Sequence, residues 1–367
     1  MGLQNYRHLK KQLPSDAFKP YPRRLLFLFT IQVLAIGSII SMVAFTIPWF
    51  LKLGLSVLVG YCWALSGLIG HELMHGSIVR SKKWQNFLGF FCFQPFLISP
   101  TFWRHWHNNL HHSYTQKIIM DPDAYPTYRI YKQSRFIQWM YKYTPGSGYL
   151  RSYLYFFFWF TFNAQVAQYY FRFRNKIFDK VDHKRVNLEL LFMNSVFITT
   201  LYLVGVSNWI WVFVLPYFVM NYLPFSYIST NHNLSPLTSE NDPLVNSLTV
   251  TNHPVLEYFH INFGYHTEHH LYPTLSGVYL KDVHELLKVE YPEKFQYMPK
   301  WKAMKALYNT ARIYKNSKTL MNPLSGDTYP VIMGEEKAKP KETSTVSDQL
   351  SFETVLSPNQ QQPDQTL

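Results

Sequence analysis

The sequence predicts an all-α integral membrane protein with four transmembrane helices in two hairpins, interfacial helices, and a histidine-rich cap on one membrane face. Charged residues make up only 16% of the 367-residue chain, whereas soluble proteins average about 25%. Apolar runs long enough to cross a bilayer occur in two closely spaced pairs. The mean hydropathy is nevertheless -0.13, so a large polar part of the chain must lie outside the lipid.

The predicted spans are four uncharged apolar runs, at residues 25–47, 53–70, 190–206 and 209–228. The first run follows Arg23 and Arg24 and ends before Pro48, and a short turn around Lys52 separates it from the second. The third and fourth runs are joined by so few residues that they must be antiparallel. Each pair is therefore predicted to form a hairpin.

Residues outside the spans divide into an N-terminal segment, a cap and a tail. Residues 1–24 are predicted to be a cytoplasmic segment, and residues 25–322 to be the membrane domain. From Pro323 onward the chain is rich in Ser, Thr, Gln, Pro, Lys and Glu. Such a composition cannot offset the entropy lost on folding, so residues 323–367 are predicted to be a disordered tail.

Two further apolar runs, at residues 84–103 and 152–171, are interrupted by Pro, Gly, Asn or Gln. Basic clusters at residues 19–24, 80–83 and 172–185 all lie outside the hairpin turns. The positive-inside rule places these clusters, and both termini, in the cytoplasm. The two interrupted runs are then interfacial or re-entrant helices. The net charge of +13 fits an anionic membrane surface, and the apolar runs argue against nucleic acid as the partner.

Eight of the 15 histidines fall in three short clusters: His71 and His75; His107, His111 and His112; His266, His269 and His270. Residues four apart share one face of an α-helix. Each cluster therefore offers a pair of metal ligands, namely His71 with His75, His107 with His111, and His266 with His270. His112 and His269 add a third ligand to their clusters. If neither interrupted run crosses the membrane, all three clusters lie on one membrane face.

Eight imidazoles exceed what one four-coordinate metal ion requires, so two metal ions are predicted. The two cysteines, Cys62 and Cys92, lie in apolar runs and exclude a thiolate site. Imidazole binds iron, copper, zinc and nickel, so the ligand type alone does not name the metal. His232 follows the fourth span as His71 follows the second, and it is predicted to be a ninth ligand.

The remaining histidines and the acidic residues near the clusters receive other roles. His8, His183 and His284 are predicted to be surface residues, and supporting or structural positions are expected for His105, His253 and His260. Imidazole N–H groups can be oriented by neighbouring polar side chains. Glu72, Asn108 and Glu268 are candidates for this orienting role, with a position on a solvated face as the alternative. Asp121 and Asp123 are further candidates.

The first cluster also matches H-E-x-x-H, the motif of zinc proteases in which the glutamate, here Glu72, is the general base. A membrane metalloprotease is therefore an alternative. It would need only one further ligand and would leave six clustered histidines unexplained. A metal-binding membrane protein without enzymatic activity is another alternative, and it predicts bound metal without O2 consumption.

The order H-x3-H, H-x3-H-H and H-x2-H-H, with hydrophobic hairpins before the first and third clusters, resembles the integral-membrane fatty acid desaturases. Flanking residues strengthen the resemblance: Asp121-Pro122-Asp123 after the second cluster, and Gly264-Tyr265-His266 and Tyr272-Pro273 around the third. The resemblance extends from the first span to about Tyr291. It implies a di-iron centre that activates O2 and removes two hydrogens from an acyl chain, and it supports His232 as a ligand.

The resemblance also implies the partners: a membrane lipid or acyl thioester as substrate, O2, and an electron carrier. Many relatives contain a fused haem domain with a His-Pro-Gly-Gly motif, which this sequence lacks. We therefore expect an external carrier, either a ferredoxin or a cytochrome-type protein. A hydroxylase or ketolase of the same superfamily would use the same histidines and remains an alternative.

Overall fold

A computed structural model describes residues 3–331, which form a mostly helical fold. The α-helices are α1 Arg24–Ala44, α2 Trp49–Met74, α3 Lys82–Phe93, α4 Pro100–Trp103, α5 His112–Tyr114, α6 Tyr128–Gln133, α7 Arg135–Tyr141, α8 Tyr155–Tyr169, α9 His183–Val204, α10 Leu215–His232, α11 Pro243–Asn246, α12 Pro254–Phe259, α13 His266–Leu271, α14 Leu280–Glu290 and α15 Lys300–Asn309. A 3₁₀ helix at Leu3–Gln12 begins the described chain, and segments of π-helix at Arg104–His111 and Ile210–Val214 precede α5 and α10.

Within residues 3–331, four helices are long and apolar enough to cross a membrane: α1, α2, α9 and the continuous helix Ile210–His232 that α10 completes. This confirms the predicted number of candidate spans. α2 and α9 extend beyond the predicted runs, because polar residues continue each helix past its apolar part. At the start of α9, for example, the Asp182 side chain caps the helix by accepting a hydrogen bond from the Arg185 N–H.

The four candidate spans differ in how much of their surface other helices cover. Over their most apolar stretches, 56% of α2 and 50% of Ile210–His232 is buried, against 28% of α1 and 22% of α9. α2 and α10 pack closely where a Cβ atom at Gly60 would come within 2.7 Å of the Val219 Cβ. α2 and α10 are thus the inner pair, and both carry histidines at their ends.

The two interrupted runs are shorter helices in the structure. Residues 84–103 divide among α3, a 3₁₀ turn at Gln94–Phe96 and α4. α8 has 15 residues, which at 1.5 Å per residue gives about 22 Å, less than a hydrocarbon core of about 30 Å. Its Gln168 side chain donates a hydrogen bond to the Leu97 carbonyl, which joins the two regions. Their interfacial position stays a prediction.

Five short strands correct the all-α prediction. β1 Thr249–Thr251 pairs in parallel with β2 Tyr297–Pro299. β3 Ile313–Asn316, β4 Thr319–Met321 and β5 Thr328–Pro330 form an antiparallel sheet. Strands of three or four residues are too short to show an alternating pattern, and their pairing partners decide whether they form.

β5 and the buried Val331 also contradict the predicted disordered tail in its first part, residues 323–331. The low apolar content there is compensated because β5 hydrogen-bonds to β4, so the segment needs no core of its own. The rest of the predicted tail lies outside the described residues.

Candidate metal centre

Four chain segments bring the nine predicted ligands together. The end of α2 supplies His71, with His75 just beyond it, and the end of α10 supplies His232. The π-helical segment and α5 supply His107, His111 and His112, and α13 supplies His266, His269 and His270. These segments are distant in sequence, so the site depends on the packing of the inner helix pair against the cap.

The nine imidazoles form two groups, and within each group the potential ligand atoms all lie within 4.8 Å of one another. The five-histidine group consists of His71, His75, His107, His112 and His269. The four-histidine group consists of His111, His232, His266 and His270. The structure thus brings together all nine residues in two places, as expected for two metal ions.

Nitrogen separations within the groups suit metal coordination. In the four-histidine group, the His266 Nε2 lies 2.8 Å from the His232 Nε2 and 3.2 Å from the His270 Nε2. In the other group, the His112 Nε2 lies 3.1 Å from the His107 Nε2 and 3.2 Å from the His269 Nε2. A metal–imidazole bond of about 2.1 Å places neighbouring ligand nitrogens about 3 Å apart, so both groups have the spacing of a coordination shell.

Hydrogen bonding alone does not explain this arrangement. The Nε2 atoms of His71 and His75 are buried and have no hydrogen-bond partner among the described residues. The Nε2 of a neutral imidazole is either a donor or an acceptor, so the clustered nitrogens cannot all pair with one another. Buried polar atoms are rarely left unsatisfied. A bound cation in each group would satisfy them, and an all-imidazole donor set suits iron as well as zinc or copper.

The predicted pair His107 and His111 stays together in the structure: the rings stack with centroids 5.1 Å apart, and their ligand atoms also form a third group with Asp123. The segment Arg104–His111 is π-helical, and its hydrogen bonds run from i to i+5 rather than i to i+4. His107 and His112, five apart, therefore share the five-histidine group, whereas His111 points to the other group. His269 and His270 also divide between the groups. Residues that are adjacent in sequence thus contribute to different candidate metal positions.

Burial lowers the pKa of most of these imidazoles. It takes the pKa of His269 to about 3, with His111 adding to the effect. The pKa values of the other cap histidines also lie well below the usual range for the same principal reason: His75, His107, His112, His266 and His270. The neutral imidazole is the form that binds metal, so the site holds its ligands ready for coordination at neutral pH.

His111 is the exception. Burial lowers its pKa, but the negative charge of Asp121 and a hydrogen bond to it outweigh burial and raise the pKa. The His111 Nδ1 lies 3.0 Å from Asp121 Oδ1 and 3.4 Å from Asp123 Oδ2. An Nδ1–H that donates to Asp121 leaves the Nε2 lone pair facing the four-histidine group. The predicted supporting role of these two aspartates matches this geometry.

Two partners of the imidazoles were not predicted. The His232 Nδ1 lies 3.3 Å from the Asn246 carbonyl, and the His270 Nδ1 lies 3.4 Å from the Thr115 hydroxyl. Every residue has a backbone carbonyl, so the residue type at position 246 could not predict the contact with His232. Thr115 follows the second cluster closely in sequence, and that proximity was the only available signal for the second contact.

An apolar cavity adjoins both groups. One end is formed by His71, His107, His111, His232 and His266, and the walls come mainly from α2, α8, α10 and the turn after α3. Wall residues include Gly67, Phe96, Phe160, Phe225 and Ile228. Phe225 lies seven residues before His232 on α10, which is about 10 Å along a helix. The cavity thus runs from the histidines into the spanning region.

A family model for fatty acid desaturases matches residues 47–301, a range that contains all nine histidines. The chain belongs to the fatty acid desaturase family. Two relatives of this chain are named sn-1 acyl-lipid omega-3 desaturase (ferredoxin), from Synechocystis sp. and Nostoc sp.. They are 29% identical to it over 120 and 119 residues, covering 33% and 32% of this chain. The match spans only 33% of the length of either relative.

Within the described residues, the polar side chains interleaved with the clustered histidines form no hydrogen bond to those imidazoles, and they do not lie on a solvated face. Glu72 is buried and binds Arg24. The Asn108 amide donates to the Met74 carbonyl, and Glu268 lies 2.6 Å from the His284 Nδ1. These side chains join separate segments of the cap, so they support the ligands through the backbone.

Outcomes for the six other histidines are mixed. His8 and His253 are exposed, and His183 is half-buried. The surface prediction for His284 is wrong, because it is 5% exposed and pairs with Glu268. His105 and His260 are buried and bind the Ile177 carbonyl and the Tyr227 hydroxyl, which are structural contacts.

Replacing Asp121 with asparagine is expected to weaken metal binding by about 10- to 100-fold, because the Nδ1–H of His111 loses its charged partner. Asparagine keeps one oxygen to accept from His111, but it loses the acceptor that Asp121 Oδ2 gives to the Gln116 N–H at 2.7 Å. Iron retained after dialysis against graded chelator concentrations measures the change. The exposed Asp179, replaced by asparagine, is the control. Equal iron retention by the two variants would remove Asp121 from the site.

Glu72 is fully engaged in structural contacts. Its Oε2 accepts from the Arg24 Nε at 3.1 Å, and its Oε1 accepts from the Gly277 N–H at 2.9 Å and from the Ser276 hydroxyl at 3.2 Å. A zinc-protease base must instead activate a metal-bound water. Both carboxylate oxygens already accept hydrogen bonds from other groups, so neither is free to activate such a water. Family membership also argues against a protease.

Replacing Glu72 with alanine is expected to lower the melting temperature by about 5 °C or more. The change leaves the buried Arg24 without its partner, which costs about 3 kcal/mol. Thermal unfolding in one detergent measures the effect. The control is Glu285→Ala, which breaks an exposed pair with Lys288 that contributes at most about 1 kcal/mol. Similar melting temperatures for both variants would show that the Arg24 contact is dispensable.

Proposed function

We propose that the chain is an O2-dependent fatty acyl desaturase that introduces a double bond into the acyl chain of a membrane lipid. Two irons, held by the five- and four-histidine groups, would form its metal centre. The observation that carries the proposal is that both groups border one apolar cavity, which runs between α2, α8 and α10. An acyl chain in that cavity would lie against both metal positions without crossing water.

Bound iron would supply the oxidising power to remove two hydrogens from neighbouring carbons, which no protein side chain can provide. The chain itself positions the reactants. Ile228 and Phe225 line the cavity beside the histidines and would hold the acyl chain in place. Trp103 stacks on His107, with ring centroids 4.5 Å apart, and so restricts the orientation of that ligand. The apolar side chains of the cavity wall would limit access of water to the reacting carbons.

The competing proposal is a hydroxylase or ketolase with the same ligands. Expressing the chain in a host that lacks polyunsaturated lipids, followed by mass analysis of its fatty acids, separates the two. A desaturase yields products lighter by two hydrogen atoms, whereas a hydroxylase yields products heavier by one oxygen atom. Absence of either product, with iron bound, would favour a metal-binding protein without this activity.

Electrons would come from a separate carrier. The two relatives carry the word ferredoxin in their names, and the net charge of +13 suits an acidic partner. We place the metal centre and both termini on the cytoplasmic face, following the basic clusters. Binding of a reduced ferredoxin should then weaken as salt increases. Binding that does not change with salt would refute electrostatic docking.

The substrate is a lipid-linked acyl chain in this proposal, and an acyl thioester is the alternative. Supplying the purified protein with reductant, O2 and either form of the same acyl chain decides between them.

A further inference from the structure

A second cavity, separate from the histidine groups, lies at the start of the first candidate span. It has a volume of about 320 Å³, room for several water molecules at about 30 Å³ each. Residues of three elements enclose it: Arg23 and Arg24 where α1 begins, Tyr258 from α12 and Lys281 from α14. If α1 crosses the membrane, as its length and composition permit, this cavity would lie at the level of the lipid head groups.

Positive charge dominates the wall of this cavity. Arg24 is 9% exposed, and only its Nε forms a hydrogen bond within residues 3–331, to Glu72. Its two terminal nitrogens form no hydrogen bond within residues 3–331, and its guanidinium lies over the ring of Tyr21, 6.0 Å from the ring centroid. The side chains of Arg23 and Lys281 are exposed and form no hydrogen bond or ion pair within the described chain. Three cations at one opening favour an anion, and arginine pairs well with phosphate.

Glu257 is the one acidic residue in the wall. Its Oε1 accepts hydrogen bonds from the Asn252 main-chain and side-chain N–H groups, whereas its buried Oε2 has no partner among the described residues. Burial raises the pKa of Glu257. The wall of the cavity therefore carries more positive than negative charge.

The rim of the cavity is apolar on the outside. α12 exposes Val255, Leu256, Tyr258 and Phe259, with exposed fractions of 55%, 44%, 73% and 42%. The neighbouring face of α1 exposes Leu26 and Phe29 to 71% and 69%. Large exposed apolar side chains beside a basic opening are typical of a surface that contacts both lipid tails and head groups.

We propose that this cavity binds the phosphate of a phospholipid head group, and that this phospholipid is the substrate of the metal centre. The second part of this proposal, that the bound phospholipid is the substrate, rests on the proposed desaturase function. Arg24 connects this cavity to the histidine region through its partner Glu72, which directly follows the predicted ligand His71. Glu72 also accepts hydrogen bonds from the Ser276 hydroxyl and the Gly277 N–H, near the third cluster. A head group held by Arg24 would thus be linked through Glu72 to the end of α2, where His71 lies.

The test measures lipid binding by the full chain in an uncharged detergent, using native mass spectrometry. The probes are dioctanoyl phosphatidylglycerol, dioctanoylglycerol, which has the same chains without phosphate, and inorganic phosphate. We expect the phospholipid to bind at least about tenfold more tightly than dioctanoylglycerol. The double variant Arg23→Gln/Lys281→Gln should lose at least about tenfold of that affinity, since each cation near a lipid surface contributes about 1 kcal/mol.

The matched control is Lys82→Gln/Lys83→Gln, which removes two exposed cations at the start of α3, outside the cavity. Retained affinity in this control, with loss in the cavity variant, supports the proposal. Equal losses in the two variants, or equal affinity for the lipids with and without phosphate, would overturn it. Inorganic phosphate that binds as tightly as the phospholipid would assign the cavity to a free anion instead.

Turnover provides the second measurement. With phospholipid substrate in nanodiscs, the cavity variant should show a raised KM and an unchanged kcat, because its metal ligands are intact. An unchanged KM would refute the assignment of the bound lipid as substrate. If the unaltered protein desaturates nothing, the proposed function fails, whereas the binding result stands by itself.

Discussion

Alanine in place of His111 or His269 is expected to abolish desaturation, with turnover at least about 100-fold lower. The two residues test the two groups separately, because His111 belongs to the four-histidine group and His269 to the five-histidine group. Each substitution removes one nitrogen from a shell whose other ligands are fixed by packing, and an incomplete shell holds its metal ion weakly. Iron per chain and the fatty acid products are the quantities to measure.

Iron content should fall in both variants, because each group would hold its own ion. The controls are His8→Ala and His253→Ala, since both residues are exposed and lie outside the two groups. These variants should retain iron and turnover. If either ligand variant kept the turnover of the unaltered protein, the shared metal centre would be wrong.

Tryptophan in place of Ile228 is expected to reduce turnover by about 100-fold while iron remains bound. Ile228 is half-buried, lines the apolar cavity and lies one helical turn before His232 on α10. A larger ring there would occupy the space beside the histidines, and a small displacement of the reacting carbons lowers the rate steeply. Product analysis and iron content measured on one preparation separate a blocked cavity from a lost metal.

Two substitutions control for this change. Ile228→Val leaves the cavity open and should keep most of the activity. Leu203→Trp adds a ring to α9 at a residue that is 72% exposed, so it tests whether a tryptophan in any span is harmful. Full activity in Ile228→Trp, with unchanged products, would show that the acyl chain does not occupy this cavity.

Features that depend on local sequence were predictable. The four candidate spans follow from the length of uncharged apolar runs, because a bilayer imposes the same minimum length on every spanning helix. Eight histidines were identified from their spacing in short clusters, and His232 from its position after the fourth span, together with the resemblance to a known family. Their convergence in space is consistent with the predicted shared face. Asp121 and Asp123 were placed near the site because they closely follow the second cluster.

Features that depend on distant contacts were not predictable. Sequence reasoning misjudged three buried residues because their partners are not adjacent in sequence. Glu72 binds Arg24 and Gly277, and Glu268 binds His284. A buried charge is tolerated only where a partner meets it, and a single sequence does not reveal which partner that is. The short strand β5 was likewise missed because its stability comes from pairing with β4.

The sequence by itself determined the membrane class, the number of candidate spans and the identity of the nine histidines, because apolar length and ligand chemistry are properties of short segments. Only the tertiary structure decided how the histidines divide between two groups. A π-helical turn brings His112, five residues further on, beside His107 in the five-histidine group, and the packing of α2, α10 and α13 brings each imidazole to one group or the other. Small changes in helical register rotate side chains by large angles, and this rotation is set by packing in three dimensions.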